Sequence, residues 1–483
     1  MVKIRQLFVG RNYSIKETMR QIQAGGLGIA LVAEKRKLLG IVTDGDIRRA
    51  ILGGISIDEK VGKIMNKKPI VAAEGTAKKK LAQLMRSPEK VAKEGVFLKI
   101  PIVNSAGEVV DLAVLPGLDE SGKQATPLFL TKNDLQKGKV RKILVIGGAG
   151  YLGSVLVRKL LQKNYKVRVL DNLTYGDDGI KEMYGKKNFE FFLGDTRNIH
   201  DVVKAVSGIE AVVHLAAIVG DPACKIEPII TIESNYLATK MIAEVCKYHQ
   251  VNRFVFASTC SVYGKSRKPA NEESGTKALS LYARSKLDSE HAILAMADEN
   301  FSPTILRLAT LFGLSPRMRF DLVVNALTAK AVIDGKIPIF GGNQSRPNLH
   351  VEDAANAFIA CLETPLEKIS GEIFNVGSSS LNLKIIEIGR AVKRIVPKAE
   401  LVVDRKDTDR RDYIVDFKKI ETEVGFRVNK KIEAGIEEVR EWIIANKINS
   451  YAEKKYSNYE RLSEPAGNPL ALKPQKTGST LKA

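Results

Sequence analysis

The stretch that most restricts the fold of this 483-residue chain is short. Lys142-Ile-Leu-Val-Ile146 is an apolar, strand-like run that enters Gly147-Gly-Ala-Gly-Tyr-Leu-Gly153 directly, and a helical pattern follows from Ser154 to Lys163. A strand that turns into a helix through Gly147, Gly150 and Gly153 opens a parallel βαβ unit. The first glycine permits the tight turn, the second lets the backbone approach a pyrophosphate, and the third allows close helix–strand packing. The helix start adds unspent N–H groups and the positive end of its dipole. Gly147, Gly150, Tyr151, Leu152 and Gly153 are therefore expected to line a dinucleotide.

The following residues extend that expectation. Apolar strands alternate with amphipathic helices from Arg141 onward, the mark of a doubly wound α/β sheet. Strand Lys166–Leu170 ends in Asp171, 18 residues beyond Gly153. A carboxylate there accepts ribose hydroxyls and repels a 2′-phosphate, so NAD is expected rather than NADP. Strand Phe189–Leu193 leads to Asp195, placed to reach an adenine amino group. Strand Ala211–Ala217 has a small-residue exit, with Ala216 where a dinucleotide backbone lies close.

Tyr282-Ala-Arg-Ser-Lys286 places a phenol and an ammonium four residues apart, on one helix face. A lysine beside a tyrosine favours the phenolate, so the phenol's pKa is expected below its free value of about 10. Such a group can take a hydroxyl proton. Upstream, strand Arg253–Ala257 runs into Ser258-Thr-Cys-Ser-Val-Tyr-Gly264, hydroxyls at the end of a sheet where open α/β folds bind ligands.

With these motifs in order, residues 141–446 resemble an extended short-chain dehydrogenase/reductase of the NAD-dependent nucleotide-sugar epimerase/dehydratase family, UDP-glucose 4-epimerase-like. The resemblance implies a Rossmann-type doubly wound parallel sheet with a small C-terminal substrate subdomain. It implies catalysis by Thr259, Tyr282 and Lys286. Thr259 would bond the sugar oxygen, Tyr282 take its proton, and Lys286 hold the nicotinamide ribose and tune Tyr282. Asn172 is implied at the cofactor, because Asp171-Asn172-Leu173 is similar to the cofactor-binding stretch of those epimerases. Substrate binding falls on Asn325, on Arg346 in the segment ending Asn348-Leu-His-Val-Glu-Asp353, and on Arg411; His350 and Asp353 are expected to be structural. Asn235 is expected either to fix the catalytic segment or to cap a helix. The family's 4,6-dehydratases carry an Asp-Glu pair directly after the catalytic Thr, and its decarboxylases a Glu two places after it; here those positions are Cys260 and Ser261. Reversible oxidation at C4 without elimination remains, hence a 4-epimerase. The alternatives are a 4-ketosugar reductase or a dehydratase of the same family, and a non-enzymatic scaffold that senses NAD and AMP.

Residues 1–117 hold two versions of one unit. The first runs through a helix at Ile15–Ile22, strands Gly28–Ala33 and Leu38–Thr43, and a helix near Asp44. The second runs through a helix from Thr76 to Met85 and strands Phe97–Val103 and Glu108–Val114, with about nine extra residues around Ser87–Gly95. On Gly40-Ile-Val-Thr-Asp-Gly-Asp46 this half resembles a tandem CBS-domain module, an α+β pair. The resemblance implies an adenine nucleotide (AMP or ATP) at Thr43 and Asp46. The second repeat has Asp111, Val114 and Gly117 at the matching positions, so one such site at most is expected; the alternative is a pseudo-symmetric dimerisation module with no ligand. Residues 118–140 read as a linker and 447–483 as a loosely ordered tail.

Composition excludes several classes. No apolar run approaches the ~18–20 residues that cross a bilayer, and the N-terminus lacks the apolar segment of a signal peptide. Cys224, Cys246, Cys260 and Cys361 have no CxxC spacing, and the five histidines show no HExxH, so no metal and no disulfide framework are expected. The net charge of +21 comes with only 6% aromatics, poor material for base stacking, so acidic small ligands are expected rather than nucleic acid. A cytoplasmic homodimer is the expected state, by analogy.

Overall fold

The computed structural model describes residues 4–25, 28–43, 46–47, 49–50, 53–76, 97–116, 128–129, 140–266, 268–404 and 412–463. The chain divides into two compact units, Met1–Lys139 and Val140–Ala483.

The front unit repeats one pattern. In the first copy β1 (Phe8–Val9) pairs in parallel with β2 (Ile29–Glu34), which pairs antiparallel with β3 (Lys37–Thr43); the helix Ile15–Gly25 connects β1 to β2. In the second, β4 (Ala72–Ala73) pairs in parallel with β5 (Phe97–Val103) and β5 antiparallel with β6 (Val109–Pro116). Each hairpin has a register break, at Val32/Ala33 and at Ile102/Val103. The copies share a core, since Leu7, Ile29, Leu31 and Ile41 pack with Val109 and Leu112. Most of the expected helix at Thr76–Met85 and all of Ser87–Gly95 lie outside the described residues. Within the segment read as a linker, Leu128–Phe129 is instead a strand, β7, pairing antiparallel with β6 at Ala113 and Val114.

The second unit is built on a parallel sheet. Its strands are β8 (Lys142–Ile146), β9 (Lys166–Asp171), β10 (Phe189–Leu193), β11 (Ala211–His214), β12 (Arg253–Thr259), β13 (Ser302–Leu308) and, after three strands outside this sheet, β17 (Ile373–Val376). The order is β10-β9-β8-β11-β12-β13-β17, and every adjacent pair is parallel. Chain direction across the sheet reverses between β8 and β11, which opens a crevice at their C-terminal ends. Strands β8, β11, β12 and β13 are almost wholly buried, as expected of a sheet covered on both faces. The smaller elements β14 (Thr310–Phe312), β15 (Lys336–Phe340), β16 (Ser345–His350), β18 (Asn382–Lys384) and β19 (Glu400–Asp404) form two further sheets around a separate apolar cluster that includes Phe312, Ile337 and Ile388. That is the C-terminal subdomain.

The helix after the glycine loop begins at Tyr151, not Ser154, so Gly150 is its N-cap and Gly153 lies in its first turn. The expectation of a loose tail is corrected too. Residues 454–456 form a 3-10 helix and Asn458–Leu462 an α-helix, with Tyr456 and Leu462 each 5% exposed. Tyr456 stacks edge-on against Phe320 and Trp442. Two spaced side chains, Tyr456 and Leu462, anchor a segment whose local pattern is too irregular to read. Residues 464–483 lie outside the described set, and among the described residues no helix is long and apolar enough to cross a membrane.

Candidate active site

A cavity of about 530 Å³ opens at the C-terminal ends of β8, β9, β11 and β12. It is lined by Gly147, Gly150, Tyr151, Leu152, Gly153, Asp171, Asn172, Asp195, Ala216, Thr259, Tyr282, Lys286 and Arg346, so all of these expected residues converge on it.

The glycine loop is shaped as a cradle. Gly147 has φ +84°, and a Cβ there would stand 2.7 Å from the Ala216 nitrogen; a Cβ on Gly153 would stand 2.2 Å from the Gly147 oxygen. Gly150 caps the helix without a side chain, so the N–H groups of the first turn remain for a ligand. Asp171 takes Ala149 N on one carboxylate oxygen (3.0 Å) and Leu173 N on the other (2.9 Å), which fixes it at the rim of the cavity. Each oxygen keeps a lone pair for a ribose hydroxyl. Burial raises its pKa. Asp195 is held in a bidentate pair with Arg197 (2.7–3.2 Å); burial acts to raise its pKa, but the guanidinium prevails and lowers it. These residues fit a dinucleotide with an adenosine end at Asp171. The Tyr151 side chain is an anchor rather than a ligand, because its hydroxyl donates to Gly313 O at 2.6 Å.

The three candidate catalytic residues stand on two elements, β12 and the helix Leu281–Leu294. Thr259 ends β12 and caps the turn Cys260–Tyr263 by accepting Ser261 N (3.1 Å). Tyr282 and Lys286 lie on the helix Leu281–Leu294, started by the Ser280 cap, and Tyr282 shares a side-chain hydrogen bond with Thr259. Asn235 secures the arrangement. It sits in a π-helical turn, Glu233–Leu237, accepts Ile218 N (2.8 Å), and donates to Ile218 O (3.0 Å) and Ser285 Oγ (3.2 Å). One amide thus ties the exit of β11 to the catalytic helix, and a π-turn at that place is typical of functional sites.

The electrostatics differ from the expectation. Burial pushes the Tyr282 phenol up rather than down; the bond from Thr259 and the charge of Arg319 act against this without overcoming it. Lys286 is 2% exposed, with its ammonium 3.9 Å above the Phe256 ring, and burial lowers its pKa to about 7 against the pull of Glu290. The sequence places the two groups on one face but does not reveal how little solvent reaches either. A stability effect follows. Below pH 7 Lys286 is charged in both states and the burial cost is full. Between pH 7 and its ordinary 10.5 only the unfolded chain holds the proton, so stability rises with pH. The coenzyme-free Lys286→Met protein should melt higher than its parent at pH 6, and the margin should shrink by about 2 kcal/mol at pH 9. Equal margins at both pH values, read by calorimetry, would exclude this account.

One expected substrate residue is not placed there. Asn325 is fully buried outside the cavity; its amide accepts Gly313 N (2.9 Å) and donates to Arg319 O (3.0 Å) and the Tyr151 hydroxyl (3.2 Å). It is a structural bracket, because every polar direction is spent internally. Arg411 lies outside the described residues. Arg346 lines the cavity on β16, stacked 5.5 Å from Tyr413. His350 bonds Glu438 (2.9 Å) and Asp353 accepts Asn429 N and Lys430 N, both structural as expected. Cys260 turns away into the core, its thiol on Arg307 O, while Ser261 faces the cavity.

In the front unit, Thr43 and Asp46 form a reciprocal cap. Asp46 Oδ2 accepts Thr43 N (2.9 Å) and Thr43 Oγ1 (2.7 Å), and Oδ1 pairs with Arg49.

Residues 143–377 match the family model described as NAD dependent epimerase/dehydratase family, and residues 4–53 match that of the CBS domain. Over 348 residues the chain is 31% identical to the dTDP-glucose 4,6-dehydratase of Shigella flexneri, covering 63% of this chain and 93% of that protein. The chain belongs to the NAD dependent epimerase/dehydratase family. Within this family it is also 27% identical over 336 residues to the UDP-glucose 4-epimerase of Bacillus subtilis, covering 64% of this chain and 98% of the other. Among solved structures it is similar to the Thermotoga maritima UDP-glucose 4-epimerase with UDP-glucose (26% identity, TM-score 0.57, 63% of this chain and 99% of that one). A Bacillus cereus UDP-glucuronic acid 4-epimerase with UDP-glucuronic acid and NAD gives 26% and 0.56 over the same shares. The matched range 143–377 contains the cradle at Gly147–Gly153 and the residues Thr259, Tyr282 and Lys286.

Among the cavity residues, sequence reasoning missed Tyr175, Arg317, Arg319, Asp321 and Asn458. The run Ser315-Pro-Arg-Met-Arg-Phe-Asp321 carried a signal, two arginines and a carboxylate in a loop after a strand. Asn458 gave none.

Proposed function

We propose that the chain is an NAD-dependent nucleotide-sugar 4-epimerase of the UDP-glucose/UDP-galactose type. One observation carries this reading. Thr259 and Tyr282 share a cavity in which the two positions after Thr259 present a serine hydroxyl and a core-facing thiol, and no carboxylate for eliminating water. NAD, when bound, supplies the acceptor and then the donor of the C4 hydride. The chain's residues do the rest. Thr259 and Tyr282 hold the sugar hydroxyl, Tyr282 takes its proton and returns it, and Lys286 sits one helical turn away to bind the ribose and stabilise the phenolate. Arg346 is the proposed diphosphate ligand, since a guanidinium fork matches phosphate oxygens.

Purified full-length protein with NAD should interconvert UDP-glucose and UDP-galactose, or an analogous pair, without added reductant. A panel of UDP- and dTDP-sugars left unchanged would count against the reading. Stoichiometric consumption of NAD(P)H would indicate a 4-ketosugar reductase, and release of water a dehydratase.

For the front unit, we propose AMP or ATP as the ligand of Thr43 and Asp46. The cap leaves Asp46 only lone pairs not already taken by Thr43 and Arg49, so binding is expected to be modest. Titration calorimetry of the full chain saturated with NAD should show heat with AMP or ATP that Asp46→Asn lowers at least tenfold. No heat from either nucleotide in the parent would end this proposal.

A further inference from the structure

The loop after β14 carries two arginines in different situations. Arg319 forks onto Asp321 (2.8 and 2.9 Å) and is paired. Arg317 is 5% exposed and lies over the Tyr175 ring, 4.6 Å from its centroid, with Nε and Nη2 buried and without a hydrogen-bond partner. The Tyr175 hydroxyl and Asn458 Oδ1 are buried and unpartnered in the same way. All three residues line the cavity that holds Gly150 and Tyr282. Buried polar atoms nearly always have partners, and a buried guanidinium with unspent N–H groups is costly unless something meets it.

The surroundings indicate what meets it. Ser315 Oγ donates to Tyr151 O (2.7 Å) and lies 3.1 Å from Ser154 Oγ, so the arginine loop is stitched to the first turns of the helix that follows the glycine cradle. Burial lowers the Arg317 pKa to about 10, which leaves it a cation at neutral pH. The C-terminal segment contributes to the cavity wall beside this loop. Asn458 N donates to Asp321 Oδ2 (3.1 Å), Arg461 Nε reaches Thr174 O (3.4 Å), and Leu462 packs with Tyr175, Ile218 and Tyr282. This wall lies beyond the 143–377 family match.

We propose that Arg317 and Tyr175 bind a diphosphate in this cavity, donating to its oxygens, and that Asn458 closes the pocket and accepts from a neighbouring hydroxyl. The proposal rests on the nucleotide-sugar reading and deepens it: both the coenzyme and the sugar nucleotide carry a diphosphate, the cradle at Gly147–Gly153 offers only backbone N–H groups, and Arg317 adds a second cation beside Arg346 in the same cavity.

The test uses the full chain freed of bound nucleotide, titrated separately with NAD, UDP and dTDP. Arg317→Gln should weaken at least one of these ligands tenfold or more, and Arg317→Lys, which keeps the charge but not the fork, should recover part of it. Loss confined to NAD assigns the site to the coenzyme; loss confined to UDP or dTDP assigns it to the sugar nucleotide. Affinities for all three within twofold of the parent overturn the proposal. A measurement that leaves Arg317 unaltered guards against misfolding of the variant: UDP should bind at least tenfold tighter than UMP, or, in Asp46→Asn protein so that the front unit does not compete, ADP than AMP. Less than threefold in both pairs also overturns it. Binding is read without turnover, so a failure of epimerisation would leave the diphosphate site intact.

Discussion

Tyr282→Phe should lower kcat about 10³-fold while melting temperature and NAD affinity stay close to those of the parent. The ring keeps its place in the cluster with Tyr175, Ile218 and Leu462, so packing is retained. What disappears is the phenolic hydroxyl that the proposed mechanism uses to exchange a proton with the sugar. Thr259 cannot substitute, because an aliphatic hydroxyl is a far weaker acid than a phenol and its oxygen already accepts Ser261 N. Because burial raises the Tyr282 pKa in the coenzyme-free chain, the phenolate must be generated with help from Lys286 and the bound coenzyme. Lys286→Met should therefore lose activity comparably and move the pH profile of any residual rate to higher pH. A Tyr282→Phe enzyme keeping a tenth of parental kcat would remove the acid–base role.

Arg307→Met should destabilise the second unit by about 3–5 kcal/mol. Arg307 and Glu290, 3% and 0% exposed, form a bidentate pair at 2.7–3.2 Å; Arg307 also donates to the Tyr263 hydroxyl (2.9 Å), which donates to Asn375 (2.7 Å), and Ser258 bonds Glu290. Burial works against the Arg307 charge, but the Glu290 pairing outweighs it and raises its pKa. Removing the cation strips the Glu290 carboxylate of its bidentate partner in the core, leaving only the more weakly coupled charge of Lys286. The double variant Arg307→Met/Glu290→Met should recover most of the loss, because it removes both desolvated charges together. Chemical denaturation of the single and double variants decides this. Additive losses would mean that the two side chains contribute independently.

The network also shows where local pattern stops being informative. Arg307 is visible in the sequence as a residue of β13 and Glu290 as one of a helix. Nothing in their spacing announces a buried pair, because partners 17 residues apart meet only when the helix packs against the sheet. The same holds for Asn458, in a segment with no periodicity of its own, whose amide lies 137 residues from the carboxylate it bonds. Asn325 fails in the opposite direction. Its type and place suit a ligand contact, but the turn at Gly313 uses up its hydrogen bonds.

Legible in the chain alone were the order of strands, the glycine cradle, the acidic end of β9, the Tyr282/Lys286 face and the duplicated front hairpins. These depend on residues near one another in sequence, where periodicity, glycine placement and helical spacing act directly. Which polar groups lose their water became visible only once the chain was folded. Desolvation is set by what packs from distant segments, and it raises Tyr282, lowers Lys286 and leaves Arg317 buried with donors to spare. That is why the residues that line the cavity could be named from local pattern, while their charge state and the C-terminal wall could not.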